Sequence, residues 1–110
     1  MKPLSVVLNS GGAEVQFDGV RQWGLDWPSV REIAIEVSVV ADLGYSEAFW
    51  KITGPGVDFG APVELVVGAD QFKARLFEFP GFDRAMYERS REAEAKAEPG
   101  VFVCWRGELG

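Results

Sequence analysis

The chain contains no histidine and a single cysteine. Without an imidazole, one chain cannot build a His-based catalytic dyad or triad or a His zinc site. One thiol cannot form a CxxC redox pair or an internal disulfide. Basic residues are also scarce: eleven Lys and Arg stand against seventeen Asp and Glu, for a net charge of -6 and a pI near 4.6. Nucleic-acid binders usually carry a basic patch or stripe, so DNA or RNA binding is not expected. No apolar run approaches the roughly 18 to 20 residues that cross a bilayer, so no membrane span is expected. The opening Met1-Lys2-Pro3-Leu4-Ser5-Val6-Val7-Leu8 lacks the long apolar region and small-residue cleavage site of a signal peptide, and reads as a first strand. With one cysteine and no export signal, the expected compartment is the cytoplasm.

What is present is a globular composition: 110 residues, 47% apolar, 25% charged and 13% aromatic. That length fits a single domain over residues 1–110, which would bury about two-thirds of the extended chain's surface. The charge is uneven. Residues 1 to 72 hold ten acids and four bases, whereas residues 73 to 110 hold seven of each. Modest negative charge keeps small domains soluble, and the same excess on one face would suit a basic partner.

Short segments are punctuated by Gly and Pro, with no internal repeat and no linker. Leu4 to Leu8 and Ala13 to Phe17 flank a turn at Asn9 to Gly12 and should pair as a hairpin; Ala13, Val15 and Phe17 alternate with polar neighbours. Asp18-Gly19 tolerates the positive φ of a type I′ turn, which predicts a third strand over Val20 to Leu25. Pro28 lacks an N–H and pushes Trp27 towards extended conformations, breaking that run. Ile33, Ile35, Val37 and Val39 alternate with Glu32, Ala34, Glu36 and Ser38, the clearest strand pattern in the chain. Ser29 to Glu32 imitates a capping box, but β-branched residues at period two follow, so a strand is expected there. Further strands are expected at Ala48 to Thr53, ended by Gly54-Pro55-Gly56, and at Val63 to Val67, with 57–60 short or irregular.

A helix capped by Asp70 would place Phe72, Leu76 and Phe79 on one face. Pro80-Gly81 would interrupt it, and Asp83 would restart a helix to about Ala97 with Phe82, Met86 and Tyr87 inward and a distal half that is polar all round. Pro99-Gly100 stops that helix. Val101 to Trp105 is apolar on both faces and fits an interior strand covered on each side. The expected fold is α+β: a mainly antiparallel sheet of five to seven strands, with one or two C-terminal helices packed on one face and a closing C-terminal strand. Its core would hold Val15, Phe17, Ile33, Ile35, Val37, Trp50, Ile52, Leu65, Val67, Phe72, Leu76, Phe79, Phe82, Met86, Val103 and Trp105.

Few residues carry chemistry. Cys104, between Val103 and Trp105, reads as a buried structural cysteine, since no cation or helix N-terminus is placed to activate it. Asp42 and Glu47 flank Gly44-Tyr45 in an expected loop. They are the candidate paired carboxylates for acid/base work or Mg²⁺ ligation, though a loop is also where solvated acids belong. No P-loop or dinucleotide fingerprint is present, and Gly54-Pro55-Gly56 reads as a turn. Four tryptophans are a heavy load for this length. Trp50 and Trp105 lie in apolar strands and read as core, whereas Trp23 and Trp27 beside turns could present an indole to a ligand or partner.

Trp27-x-x-Val30-x-x-Ile33-x-Ile35, Phe49-Trp50, Pro80-Gly81-Phe82-Asp83 and Phe102-Val103-Cys104-Trp105 occur in an order that resembles a family of small, uncharacterised bacterial proteins. The resemblance covers about residues 13 to 106, with Glu47 where the family has an aspartate ahead of its Phe-Trp pair. It implies no catalytic residue. The strand-rich start and late helix also look like a pleckstrin-homology arrangement, apart from the strand that follows the helix.

The first expectation is therefore a non-catalytic protein-interaction module, acidic and of immunity or regulatory type, facing a basic protein partner and needing no cofactor or metal. Its possible ligand or partner contacts are Trp23, Trp27, Asp42, Tyr45 and Glu47. The alternatives are a small-ligand-binding domain with a pocket lined by Trp23, Trp27 or Tyr45, and a carboxylate-dependent enzyme using Asp42 or Glu47.

Overall fold

A computed structural model describes residues 4–64 and 66–107. The first half folds as three consecutive antiparallel strands, β1 (Leu4–Leu8), β2 (Gly12–Phe17) and β3 (Val20–Asp26). The β2–β3 turn has the expected chemistry: Asp18 and Gly19 both take positive φ, 56° and 79°. Trp27–Ser29 then makes one 3₁₀ turn, so Trp27 enters a tight turn where extended backbone was expected.

Four further strands form a second sheet in the order β6-β5-β4-β7. They are β4 (Glu32–Val40), β5 (Tyr45–Gly54), β6 (Val57–Pro62) and β7 (Gly100–Arg106), all antiparallel. Helices α1 (Ala69–Phe77) and α2 (Arg84–Ala95) lie between β6 and β7 in the chain. Among the described residues no helix is long and apolar enough to cross a membrane.

The α+β class and the closing C-terminal strand are thus present, but the strands divide between two sheets. Hydrophobic periodicity fixes which face of a strand is buried and carries no information on lateral partners, so it could not show this division. Residues 57–60, expected to be irregular, belong to β6. Val57, Phe59 and Ala61 are buried and alternate with Asp58, Gly60 and Pro62, and Pro55-Gly56 is the turn of the β5–β6 hairpin. The expected strand at 63–67 does not form. Val63 donates to the Ala48 carbonyl, and the chain then leaves the sheet until Val67 bridges Ser5 of β1 in parallel. Leu65 lies outside the described residues. The closing strand is an edge, paired only with β4, and its Val101 is 62% exposed rather than interior.

Helix α1 is capped by Gly68, with Asp70 inside the first turn. Gly68 adopts φ 87°, and a Cβ there would stand 2.1 Å from the Val6 carbonyl oxygen, so a glycine is what allows the helix to start against β1. Helix α2 starts as expected: the Asp83 carboxylate accepts from the Met86 N–H at 3.0 Å. Phe77 lies edge-on to Tyr87 and tilted against Phe82, holding the entry to the helix. Its buried stripe is Tyr87, Ser90 and Ala93, with Phe82 and Met86 half-buried. The distal half is therefore not polar all round. Ser90 satisfies its hydroxyl on the Tyr87 carbonyl at 2.6 Å, and two small side chains let the helix approach the sheet.

One core joins these layers. Val6, Val15 and Leu25 of the first sheet meet Ile33, Ile35, Val37, Trp50, Ile52 and Phe59 of the second, under Phe72 and Leu76. Trp50 stacks on Tyr87, and the Phe72 ring packs against Trp27, Trp50 and Phe59. Phe79, Trp105 and Val103 are only half-buried, and Phe17 and Val67 are exposed. Val67 is exposed because its segment is no strand. Phe17 does keep the core-facing side of its strand, but nothing covers it at the hairpin end.

Candidate functional site: an apolar groove with an acidic end

The uncovered end of the β2–β3 hairpin is the origin of the site. Opposed residues of an antiparallel pair share a face. Leu4 and Val20 both oppose Phe17, so the three share the face of Val15. Buried hydrophobic residues on that face give way to Phe17 and Val20 at 53% and 63% exposure. The β2–β3 register slips between Val15 and Gln16, leaving Gln22 without an opposite residue. Such a bulge bends the strand and re-aims neighbouring side chains. Next to it, Trp23 reaches towards β6, and its indole N–H donates to the Gly60 carbonyl oxygen at 2.8 Å. Trp23 remains 44% exposed.

This indole walls a groove of about 390 Å³ between the two sheets, lined by Leu4, Trp23, Phe49, Gly60, Ala61 and Pro62 with Glu36 and Lys51. The last two are a loose ion pair at 3.9 Å. Phe49 is an apolar residue on the outward face of β5, where its period-two neighbours are Tyr45, Glu47 and Lys51. Phe49 and Pro62, ladder partners in β5 and β6, also line a second, adjoining hollow of about 290 Å³. That hollow is bounded by Glu47, Glu64 and Glu94. Arg91 of α2 bonds both Glu64, at 3.0 Å, and Glu94. Among the described residues no ion pair engages Glu47. One guanidinium thus stands against three carboxylates at this end.

The residues singled out in the sequence are dispersed. Trp23 is in the groove and Glu47 is at its acidic end, on strand β5 rather than in a loop. Tyr45 opens the same strand and is exposed, on the outward face with Glu47. Asp42 is exposed in the 3₁₀ turn Ala41–Leu43. Trp27 stands apart from Trp23, half-buried beneath the Arg75 guanidinium at 4.6 Å and beside Phe72 and Phe79. Among the described residues the two tryptophans line separate hollows. Among the described residues no group of three or more His, Cys, Asp or Glu side chains could hold a metal ion. Cys104 is buried, and desolvation, with the Asp83 charge adding to it, pushes its thiol up from 9.0 to about 12. The only soft nucleophile is thus protonated at neutral pH.

Leu4, Phe49 and Pro62 are not among the contact residues expected from the sequence. Phe49 had a signal, as an apolar residue between two charged ones on a strand's polar face. Leu4 and Pro62 join it only through tertiary placement.

The fold and site together define an α+β domain of two antiparallel sheets and two helices, with an apolar surface groove that ends among carboxylates. No protein-family model matches the chain, and neither a curated protein nor a solved structure matches it.

Proposed function

We propose that the protein is a non-catalytic interaction module of immunity or regulatory type, which binds a basic protein partner in the cytoplasm. The observation that carries this reading is the groove itself: the exposed Trp23 indole, with half-buried Leu4 and Phe49, adjoins a hollow with surplus carboxylates. Contiguous exposed apolar surface with a polar rim marks contact sites, and tryptophan is favoured as an interface anchor. The acid excess would accelerate encounter with a basic surface and select against acidic ones. Partner capture from lysate tests this when wild type is compared with Trp23→Ala and Glu47→Gln at low and at high salt. A basic protein held at low salt, released at high salt and lost from both variants is the expected result. Retention that ignores salt and both substitutions contradicts the reading.

A small-ligand site is the second reading, because about 390 Å³ falls within the range of small-molecule pockets. It predicts a metabolite that perturbs indole fluorescence in wild type and leaves Trp23→Phe fluorescence unchanged.

A further inference from the structure

We infer that the groove receives an extended segment of the partner in which an apolar side chain sits between Trp23 and Phe49 and a lysine or arginine two residues away meets Glu47. This rests on the interaction role proposed above and specifies what that role recognises.

The spacing comes from β5. Phe49 and Glu47 are two residues apart in one strand and so share its outward face, separated by about 7 Å. An extended ligand chain repeats at that same distance, so one of its faces can place an apolar group over Phe49 and a cation over Glu47. Charge gives the polarity. At the Trp23 end, Glu36 and Lys51 offset one another. At the other end, Glu47, Glu64 and Glu94 line the hollow, and among the described residues the Arg91 guanidinium is the one cation in an ion pair with any of them, bonded to the latter two. About two negative charges are left uncompensated there, in a hollow where contact with apolar walls strengthens an ion pair relative to open water. A second copy of this chain fits poorly as the occupant, because two chains of net charge -6 repel.

The test uses synthetic peptides of about ten residues in a Gly/Ser/Thr host, which strand spacing makes long enough to span both hollows. One carries a leucine and, two positions later, a lysine; controls replace the lysine by glutamate or the leucine by serine. Binding to the ¹⁵N-labelled protein is followed at the Trp23 indole N–H, assigned by its disappearance in Trp23→Phe. The leucine–lysine peptide should shift that resonance and bind about three to five times more tightly at low salt than its glutamate control. In Glu47→Gln that preference should fall below about twofold. Equal affinity for the lysine and glutamate peptides overturns the inference while leaving the interaction role to be judged by partner capture. Failure of every peptide to shift the Trp23 indole, or shifts confined to other surfaces, overturns it as well.

Discussion

The indole N–H of Trp23 and the carbonyl oxygen of Gly60, 2.8 Å apart, tie the three-stranded sheet to the edge of the four-stranded one. β3 and β6 form no ladder with each other, so this side-chain bond helps set how far apart the sheets stand, and with that the width of the groove. Trp23→Phe keeps most of the ring and removes the donor. The expected cost is about 0.5 to 1.5 kcal/mol, read as a lower urea midpoint at unchanged slope. An unchanged midpoint would mean that water replaces the bond without loss.

Phe72 and Phe17 should respond in opposite ways to truncation. Phe72 is buried against Trp27, Trp50 and Phe59, and Phe72→Ala should cost about 3 to 5 kcal/mol. Phe17 shares the face of Val15 but is uncovered, so Phe17→Ser should change stability by no more than about 0.5 kcal/mol. Denaturation midpoints of the two variants decide the matter. A large loss in Phe17→Ser would place that ring in the core.

Cys104 supplies a test of burial by titration. With its thiol raised from 9.0 to about 12, the thiolate fraction in the native protein near pH 8 is about a thousandfold smaller than in the unfolded chain. A chromogenic thiol reagent should react slowly until denaturant is added. The same shift makes stability depend on pH. Because the folded value lies above the unfolded one, the contribution is whole below pH 9.0 and is lost progressively as pH rises towards about 12. Rapid labelling of the native protein at pH 8 would contradict this environment.

Asp83 caps α2 through the Met86 N–H, and Asp83→Ala should cost about 1 kcal/mol. Asp83→Asn keeps an acceptor at the cap and removes the charge that helps hold the Cys104 thiol up. It should therefore be nearly as stable as wild type and show a somewhat lower thiol titration midpoint, measured by absorbance of the thiolate.

Local chemistry was the legible part of this fold. Asp18-Gly19 at the hairpin, the period-two run from Ile33 to Val39 and the cap at Asp83 all depend on neighbours within a few residues, and each forms as read. What depended on the third dimension was not legible. The alternation of Ala13, Val15 and Phe17 correctly fixes a face, yet whether anything covers Phe17 is decided by tertiary packing, and it is left 53% exposed. Ser90 and Ala93 read as polar or indifferent in a charged helix, although their small size is what suits them to the buried stripe. The candidate site shows the same division. Trp23 and Glu47 stand out in the sequence for unrelated reasons, but the bulge at Gln22 beside Trp23, and the meeting of Leu4, Phe49 and Pro62 from three strands, leave no local signature.

Site-specific photo-crosslinking tests the central claim most directly. A benzophenone amino acid replaces Phe17, the ladder partner of Leu4 in the groove, or, in a second variant, Val101 on the far edge strand, positions of comparable exposure. Irradiation in the native cells should attach one basic protein to the first variant and not to the second, with the crosslinked peptide carrying lysine or arginine two residues from an apolar side chain. Equal crosslinking at both positions, or none at the groove, contradicts the assignment of this surface to a partner.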